Sequence, residues 1–449
     1  MSNQVLPFYY DYTKCMVMKL SMANPDRKNP GKSLVHMTFE EALDCIKAID
    51  AMTEGITKIY YLVGWQYCGH DDRYPDFFEV NKALKRPQDK TARDSLLWLH
   101  EAAKAYNSVV SLHINFNDAY EDAPSFETFV QKNALIRDRQ GNPHAIEHYN
   151  GKCCYKTCLK TYWESGLFQK QFDLLLDFLP FLQTCHTVHV DNFQCYHNYH
   201  PSVSIREMQE ARRKMILYAH EKGIDITSEF TYKEDETLPN RMPFGLSREH
   251  HYQTPINTLG LIPLSWWCTR MRRIEYVEIP PEVYCGGLYK DGNYGKYLYG
   301  NMHGEDLIHP KEQGWKAKFL HEFATLQVPY HFLCTHRRLS VSGHGLTARC
   351  VFSDGIVSYR RRQKITWGGD VLKEKDTLFL PVVQRDRVWL AYSATGDRRR
   401  WPVKVENADA VEISRLTPNG CEFVREEVVR DSSLFLSLEK GEALLIRFK

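Results

Sequence analysis

The chain has 449 residues, enough for one large domain and a smaller one, and its 58 basic against 56 acidic side chains leave a net charge of +2. That balance lacks the positive field of a nucleic-acid binder, and no apolar run approaches the roughly 20 residues that span a bilayer, so neither nucleic acid nor membrane is an expected partner. Aromatic residues reach 13%, with 26 Tyr and 9 Trp, and amphipathic rings of this kind serve both core packing and stacking on neutral, weakly polar ligands such as sugars.

The opening Met1-Ser2-Asn3-Gln4-Val5-Leu6-Pro7 shows no basic patch followed by an apolar stretch, the pattern of a secretory leader. With that start taken as native, a cytoplasmic location is expected. The 13 cysteines, odd in number and scattered through a chain too large to need staples, are expected as free and mostly buried thiols.

In chain order, a helix is expected at about Phe39 to Ala51, then a strand at Ile59-Tyr60-Tyr61-Leu62-Val63-Gly64. A second helix follows at about Thr91 to Tyr106, and a second strand at Val109 to Asn115. Thr187 to Asp191 and Ile224 to Glu229 read as strands that flank a helix. Its apolar positions Ile205, Met208, Ala211, Met215, Ile216 and Ala219 keep helical spacing, while Arg206, Glu207, Glu210, Arg212 and Arg213 take the other side. Later strands are expected near Gly260 to Trp266 and Val328 to Leu333. Strands alternating with amphipathic helices over this length predict a parallel (β/α)8 TIM-type barrel for residues 1–344.

Beyond about residue 345 helical periodicity stops. Leu378 to Val383, Val388 to Ser393, Ala410 to Leu416, Leu434 to Leu438 and Ala443 to Phe448 alternate with turn signals such as Pro418-Asn419-Gly420 and Lys440-Gly441-Glu442. Residues 345–449 are therefore expected to form an antiparallel β-sandwich.

In a parallel barrel the functional groups sit where strands end, at the C-terminal face. Asp191 closes Val188-His189-Val190, and 38 residues later Glu229 closes the next apolar strand. Cleaving a glycosidic bond needs one carboxylate to capture the oxocarbenium-like centre and a second carboxyl group to protonate the departing oxygen. Two acids on neighbouring strand ends meet that need; the competing reading of each is a helix cap or a salt-bridge partner. Other strand ends supply Gln66, His70 and Asp71, then His113 and Asn115, polar groups of the type that hold sugar hydroxyls.

Taken in order and spacing, Gly64-Trp65-Gln66, Gly69-His70-Asp71, His113-Ile114-Asn115 with Ala119-Tyr120, and the strands into Asp191 and Glu229 resemble the endo-α-N-acetylgalactosaminidases of glycoside hydrolase family 101. The related exo-acting α-N-acetylgalactosaminidases of family 129 share the layout. The resemblance covers about residues 58 to 235 well and the stretch to about 340 loosely. It implies a retaining α-glycosidase acting on α-linked GalNAc, with Asp191 as nucleophile and Glu229 as general acid/base about 5–5.5 Å apart. It further implies Asp71 and His113 as holders of sugar hydroxyls, assisted by Asn115 and Gln66, and no cofactor.

The resemblance has gaps. Where the family carries a Trp-containing segment that packs on the substrate, this chain reads Ile146-Glu147-His148-Tyr149-Asn150-Gly151-Lys152, which leaves Tyr149 as the candidate contact. After Asp191 it reads Asn192-Phe193-Gln194 in place of an aromatic residue and Gly-Asn. A compact chain of this kind suits exo action or a small glycan. Trp266 or Trp267 is a candidate sugar platform, with core packing as the competing reading, and Tyr299 to Asp306 reads as a late polar loop. Cys153-Cys154, Cys158, His186 and His189 match no standard zinc spacing, so no metal is expected. The absence of a Gly-rich phosphate loop and of a Gly-x-Ser-x-Gly elbow argues against nucleotide and serine-esterase chemistry. Two rival functions remain: an α-galactosidase-type activity on the same fold, and a catalytically silent carbohydrate-binding barrel.

Overall fold

The computed structural model describes residues 8–11, 14–191, 193, 195–228, 254–255, 310–336, 338–342, 347, 349–359 and 361–449. Its first layer is a sheet of five parallel strands, Met16–Ser21, Lys58–Val63, Ser108–Asn115, Thr187–Asp191 and Asp225–Ser228, which lie side by side in chain order. Thr254–Pro255 adds a short antiparallel pairing at the edge. Helices Phe39–Thr53, Ala92–Ala103 and Ile205–Glu221 cross between successive strands, so the core is TIM-barrel-like. The strand expected near residues 260–266 falls outside the described residues.

Each crossover helix starts where the sequence supplies a cap. Thr38, Thr91 and Ser204 accept the backbone N–H three residues on, while the Glu41, Asp94 and Glu207 carboxylates accept the cap's own N–H. Two orphan donors are satisfied at each helix start. The helices then bury one stripe each, for example Ala42, Leu43, Ile46 and Ile49 in the first and Met208, Ala211, Met215 and Ala219 in the third.

The strands treat their two faces differently. Met16, Met18, Leu20, Tyr60, Leu62, Val110, Leu112, Ile114, Val188 and Val190 join the large apolar core beneath the helices. The alternate positions face the barrel interior, and there, among the described residues, Val17, Ile59, Tyr61 and Cys15 make a small apolar cluster with Val109 packed against it. Lys19, Ser111, His113, Asn115, Thr187, His189, Asp225 and Thr227 share that face, all buried. Parallel strands covered on both sides usually read as apolar throughout, so this polar filling marks the interior as a working surface. It is hydrogen-bonded: Tyr61 Oη and Thr187 Oγ1 share a bond of 2.6 Å, His189 Nδ1 meets Thr227 Oγ1 at 2.9 Å, and Ser111 Oγ donates to the Thr187 carbonyl.

Between the third and fourth parallel strands the chain builds a three-stranded antiparallel sheet from Asp118–Ala119, Lys152–Lys156 and Ala145–Tyr149. The last two form a hairpin over the C-terminal ends of the barrel strands.

Val328 to Leu333, expected as a strand, is helical. Trp315–Glu322 runs through a widened turn at Phe323–Gln327 into the helix Val328–Cys334. A six-residue apolar run cannot be told from a buried helix by periodicity, and the wide turn just before Pro329 accommodates a residue that has no N–H to give.

The C-terminal region is a ten-stranded antiparallel sheet that begins at Arg338–Ser342, together with a two-stranded sheet of Asp397–Pro402 and Ser433–Leu438. Trp401 of the small sheet packs 5.9 Å from Phe379 of the large one, giving a sandwich-like arrangement. This region meets the barrel where Arg447 pairs with Glu54 and Arg385 donates to the Glu54 carbonyl. Cys15, Cys45, Cys154, Cys158, Cys185, Cys195 and Cys350 are buried free thiols, and Cys68, Cys153 and Cys421 are more exposed ones.

Candidate active site

The site starts from a tight bend after the Lys58–Val63 strand. Gly64 adopts φ 74°, and a Cβ there would lie 1.9 Å from the Ala23 carbonyl oxygen, so the close approach of these two backbones requires glycine. Trp65, fully buried, donates its indole N–H to the His113 carbonyl at 2.9 Å, tying this loop to the neighbouring strand. Gln66 is also fully buried; its amide donates to the Gly69 carbonyl at 3.1 Å. The His70 N–H donates to the Ala23 carbonyl at 2.9 Å, and Asp71 takes a left-handed φ of 54°. This bend sets the His70 Nε2 3.5 Å from an Asp71 carboxylate oxygen.

Asp191 arrives from the fourth parallel strand. Parallel register sets it opposite Asn115, whose amide donates to Asp191 Oδ2 at 3.4 Å and to Asp118 Oδ2 at 2.9 Å. Asn115 is held in turn, because its own oxygen accepts the backbone N–H groups of Asn117 at 2.7 Å and Asp118 at 2.8 Å. Asp118 pairs with the buried Lys156 at 2.6 Å. The two ends of this relay are a buried ion pair and a carboxylate that keeps 14% side-chain exposure.

His113 lies deeper, 1% exposed, with its Nε2 3.9 Å from Asp191 Oδ1. It packs edge-on to His70 and stacks on His189, with centroids 5.1 Å apart in both cases. Burial, and then Lys19, His70 and His189, push its pKa well below the ordinary histidine range. The imidazole is therefore neutral, a dipole beneath the Asp191 carboxylate rather than a competing cation. His70 and Asp71 are less enclosed, with side-chain exposures of 28% and 14%.

One donor atom each of His70, Asp71 and Asp191 lies within 4.8 Å of the others. These three could accept a hard cation; equally, they present carboxylate acceptors and an imidazole to a cluster of hydroxyl groups. The cysteines and histidines weighed for zinc are not brought together: Cys154 and Cys158 sit in the apolar core, His189 bonds to Thr227, and His186 bonds to the Gly223 carbonyl.

Among the residues expected from the sequence, Gln66, His70, Asp71, His113, Asn115 and Asp191 all lie at this one end of the sheet. Tyr149 lies on the hairpin, 37% exposed, with its ring centroid 5.8 Å from Lys156 Nζ. Glu229 and Trp266 lie outside the described residues. Three groups had no signal in the sequence. Tyr74, fully buried, is close enough to Asp71 and Asp191 that, after burial, these carboxylates push its phenol further up. Lys19 lies under His113. Asn150 reaches from the hairpin tip to the His70 and Asp71 carbonyls.

Residues 31–237, which span the bend, the relay and Asp191, match the family described as endo-α-N-acetylgalactosaminidase. Among solved structures, the ligand-free α-N-acetylgalactosaminidase NagBb from Bifidobacterium bifidum is similar over 79% of this chain and 58% of its own, with 16% identity and a TM-score of 0.52. The NagBb complex with Gal-NHAc-DNJ is similar over 79% of this chain and 57% of its own, with 16% identity and a TM-score of 0.50. These matches show a shared fold, and the chain spans less than two thirds of the length of either. Among curated proteins no sequence matches the chain. The matched segment runs from residue 31 to residue 237, so of the site residues named here it leaves out Lys19 and Trp266.

Proposed function

We propose that the chain is a retaining α-glycoside hydrolase that releases α-linked GalNAc, or a disaccharide containing it, by double displacement. The observation that carries the reading is the placement of Asp191: a carboxylate ending a parallel strand, oriented by Asn115 and bordered by His70 and Asp71. In the first step Asp191 attacks the anomeric carbon while Glu229 protonates the leaving oxygen; in the second Glu229 takes a proton from the water that frees the sugar. Asp225 and Thr227, on the strand that precedes Glu229 in the chain, share the interior face with Asp191.

Asp71 and His70 hold sugar hydroxyls, His113 and Asn115 fix Asp191, and Gln66 braces the bend. Tyr149 and Trp266 are the aromatic contacts of the reading. NagBb, an α-N-acetylgalactosaminidase also solved with GalNAc, supports the choice of sugar. Residues 1–344 are the catalytic part and residues 345–449 the sandwich, with Arg338–Ser342 already paired into the large sheet at the join. No cofactor is needed for these steps.

A panel of aryl α-glycosides tests the sugar. Hydrolysis of the GalNAc glycoside above the galactoside supports the reading, and the reverse order favours the α-galactosidase-type rival. Asp191→Asn is expected to lower kcat by several orders of magnitude, because nucleophile and stabilising charge are lost together. No turnover by the unaltered protein on any of the panel would leave the carbohydrate-binding rival. Proton NMR of the first-formed product separates mechanisms: the α-anomer is expected, and an initial β-anomer overturns double displacement.

A further inference from the structure

The hairpin tip is Asn150-Gly151, with φ values of 51° and 80°. Asn-Gly is the favoured pair for a two-residue turn with both residues left-handed, so turn-making alone would account for an asparagine here. That role uses the backbone and leaves the side-chain amide free for other work. Here the amide Nδ2 donates to the His70 carbonyl at 3.0 Å and to the Asp71 carbonyl at 3.4 Å. Both acceptors belong to residues whose side chains converge on Asp191.

The bend it grips needs holding. Asp71 sits at φ 54°, a conformation that costs a residue with a Cβ roughly 1 kcal/mol or more. On one side the Ala23 carbonyl anchors the His70 N–H at 2.9 Å. On the other side the hairpin supplies Lys152, paired with Asp72 and Asp122 at 2.6 Å each, and Asp72 accepts the Cys68 N–H at 3.0 Å. Asn150 closes the remaining side, its amide reaching both the His70 and the Asp71 carbonyl from the hairpin.

Resting on the glycosidase reading of the site, we propose that Asn150 is a positioning residue: its amide fixes the His70-Asp71 peptide so that both side chains meet substrate beside Asp191, which makes the hairpin part of the catalytic assembly.

Turn-making and positioning separate cleanly by substitution. Asp-Gly and Gly-Gly also favour this turn, so Asn150→Asp and Asn150→Gly keep the hairpin but remove the donor. Expected for both is a 10- to 100-fold fall in kcat/KM on aryl α-GalNAc, roughly the loss that follows a small misplacement of a substrate-holding group. Hydrogen exchange of a peptide covering residues 66–74 is expected to speed up, with little change in Tm. In an Asp71→Ala background the Asn150→Asp step is expected to cost clearly less than in the unaltered protein, because one of the two side chains that Asn150 positions is already gone. Unchanged kcat/KM in both variants, or an equal loss in the Asp71→Ala background, overturns the proposal. If the unaltered protein hydrolyses no α-glycoside, the function reading fails by itself; the exchange measurement then decides whether Asn150 holds the bend, and unchanged exchange overturns it.

Discussion

His113 shows how burial sets the state of a residue whose type alone is ambiguous. A histidine at a strand end reads as a hydroxyl-binding group, yet at 1% exposure and among Lys19, His70 and His189 it is held neutral beneath Asp191. Its depressed pKa has a sign that can be tested. As pH falls below about 6.5 the unfolded chain takes up a proton there while the folded protein does not, so stability declines with acidification in that window. The buried His100 contributes in the same direction. His113→Gln is expected to shallow the acid limb of stability against pH by up to one proton's worth, measured by denaturant midpoints between about pH 6.5 and 4.5, while leaving the neutral-to-alkaline side parallel. An unaltered slope would mean that His113 titrates normally.

At the scale of elements, the loops matter as much as the strands. The bend from Gly64 to Asp72 is pinned to the Ala23–Pro25 strand so closely that Gly64→Ala would bring a methyl group into the Ala23 carbonyl, at a φ that alanine resists. We expect a loss of roughly 2–4 kcal/mol by chemical denaturation, from overpacking and backbone strain together. Retention of full stability would show that the two backbones can separate.

Which elements were legible follows from the same physics. Strands and helices with a clean apolar period, such as Thr187–Asp191 and Ile205–Glu221, were read to within a residue or two. Met16–Ser21 gave no signal, because its interior-facing Lys19 breaks the apolar run at its centre. The short strands between Arg349 and Glu374 were missed too, being only four or five residues long, too short for a clear alternation. The motifs of the site were legible because its residues sit at strand ends, where apolar runs stop. Asn150 and Tyr74 were not, since their roles depend on which loops meet in space.

The whole molecule joins a barrel whose interior is polar to a sheet that carries one buried cation of its own. Lys373 is fully buried; its ammonium donates to the Lys375 carbonyl and, at 3.5 Å, to that of Gln363. Burial pulls its pKa down to about 8. Between about pH 8 and 10.5 the unfolded chain holds the proton that the folded protein has released, so stability rises with pH across that interval, and below it the cost of the buried charge is fully present. Lys373→Met is expected to stabilise the protein at pH 7 by on the order of 1 kcal/mol, the desolvation gain being offset in part by the two carbonyl bonds lost. The gain should shrink toward pH 10, which thermal melts at the two pH values would show, and an advantage independent of pH would contradict the assignment.

The order of strands in that sheet has a kinetic side. Glu442–Phe448 lies between Val388–Ser393 and Ala410–Thr417, both of which precede it in the chain. Hairpins on either side can zip up locally, but the two halves of the sheet have no edge in common until this later strand slides between them. Completion thus waits on one long-range insertion, the kind of step that slows refolding and leaves two unpaired strand edges exposed in the meantime.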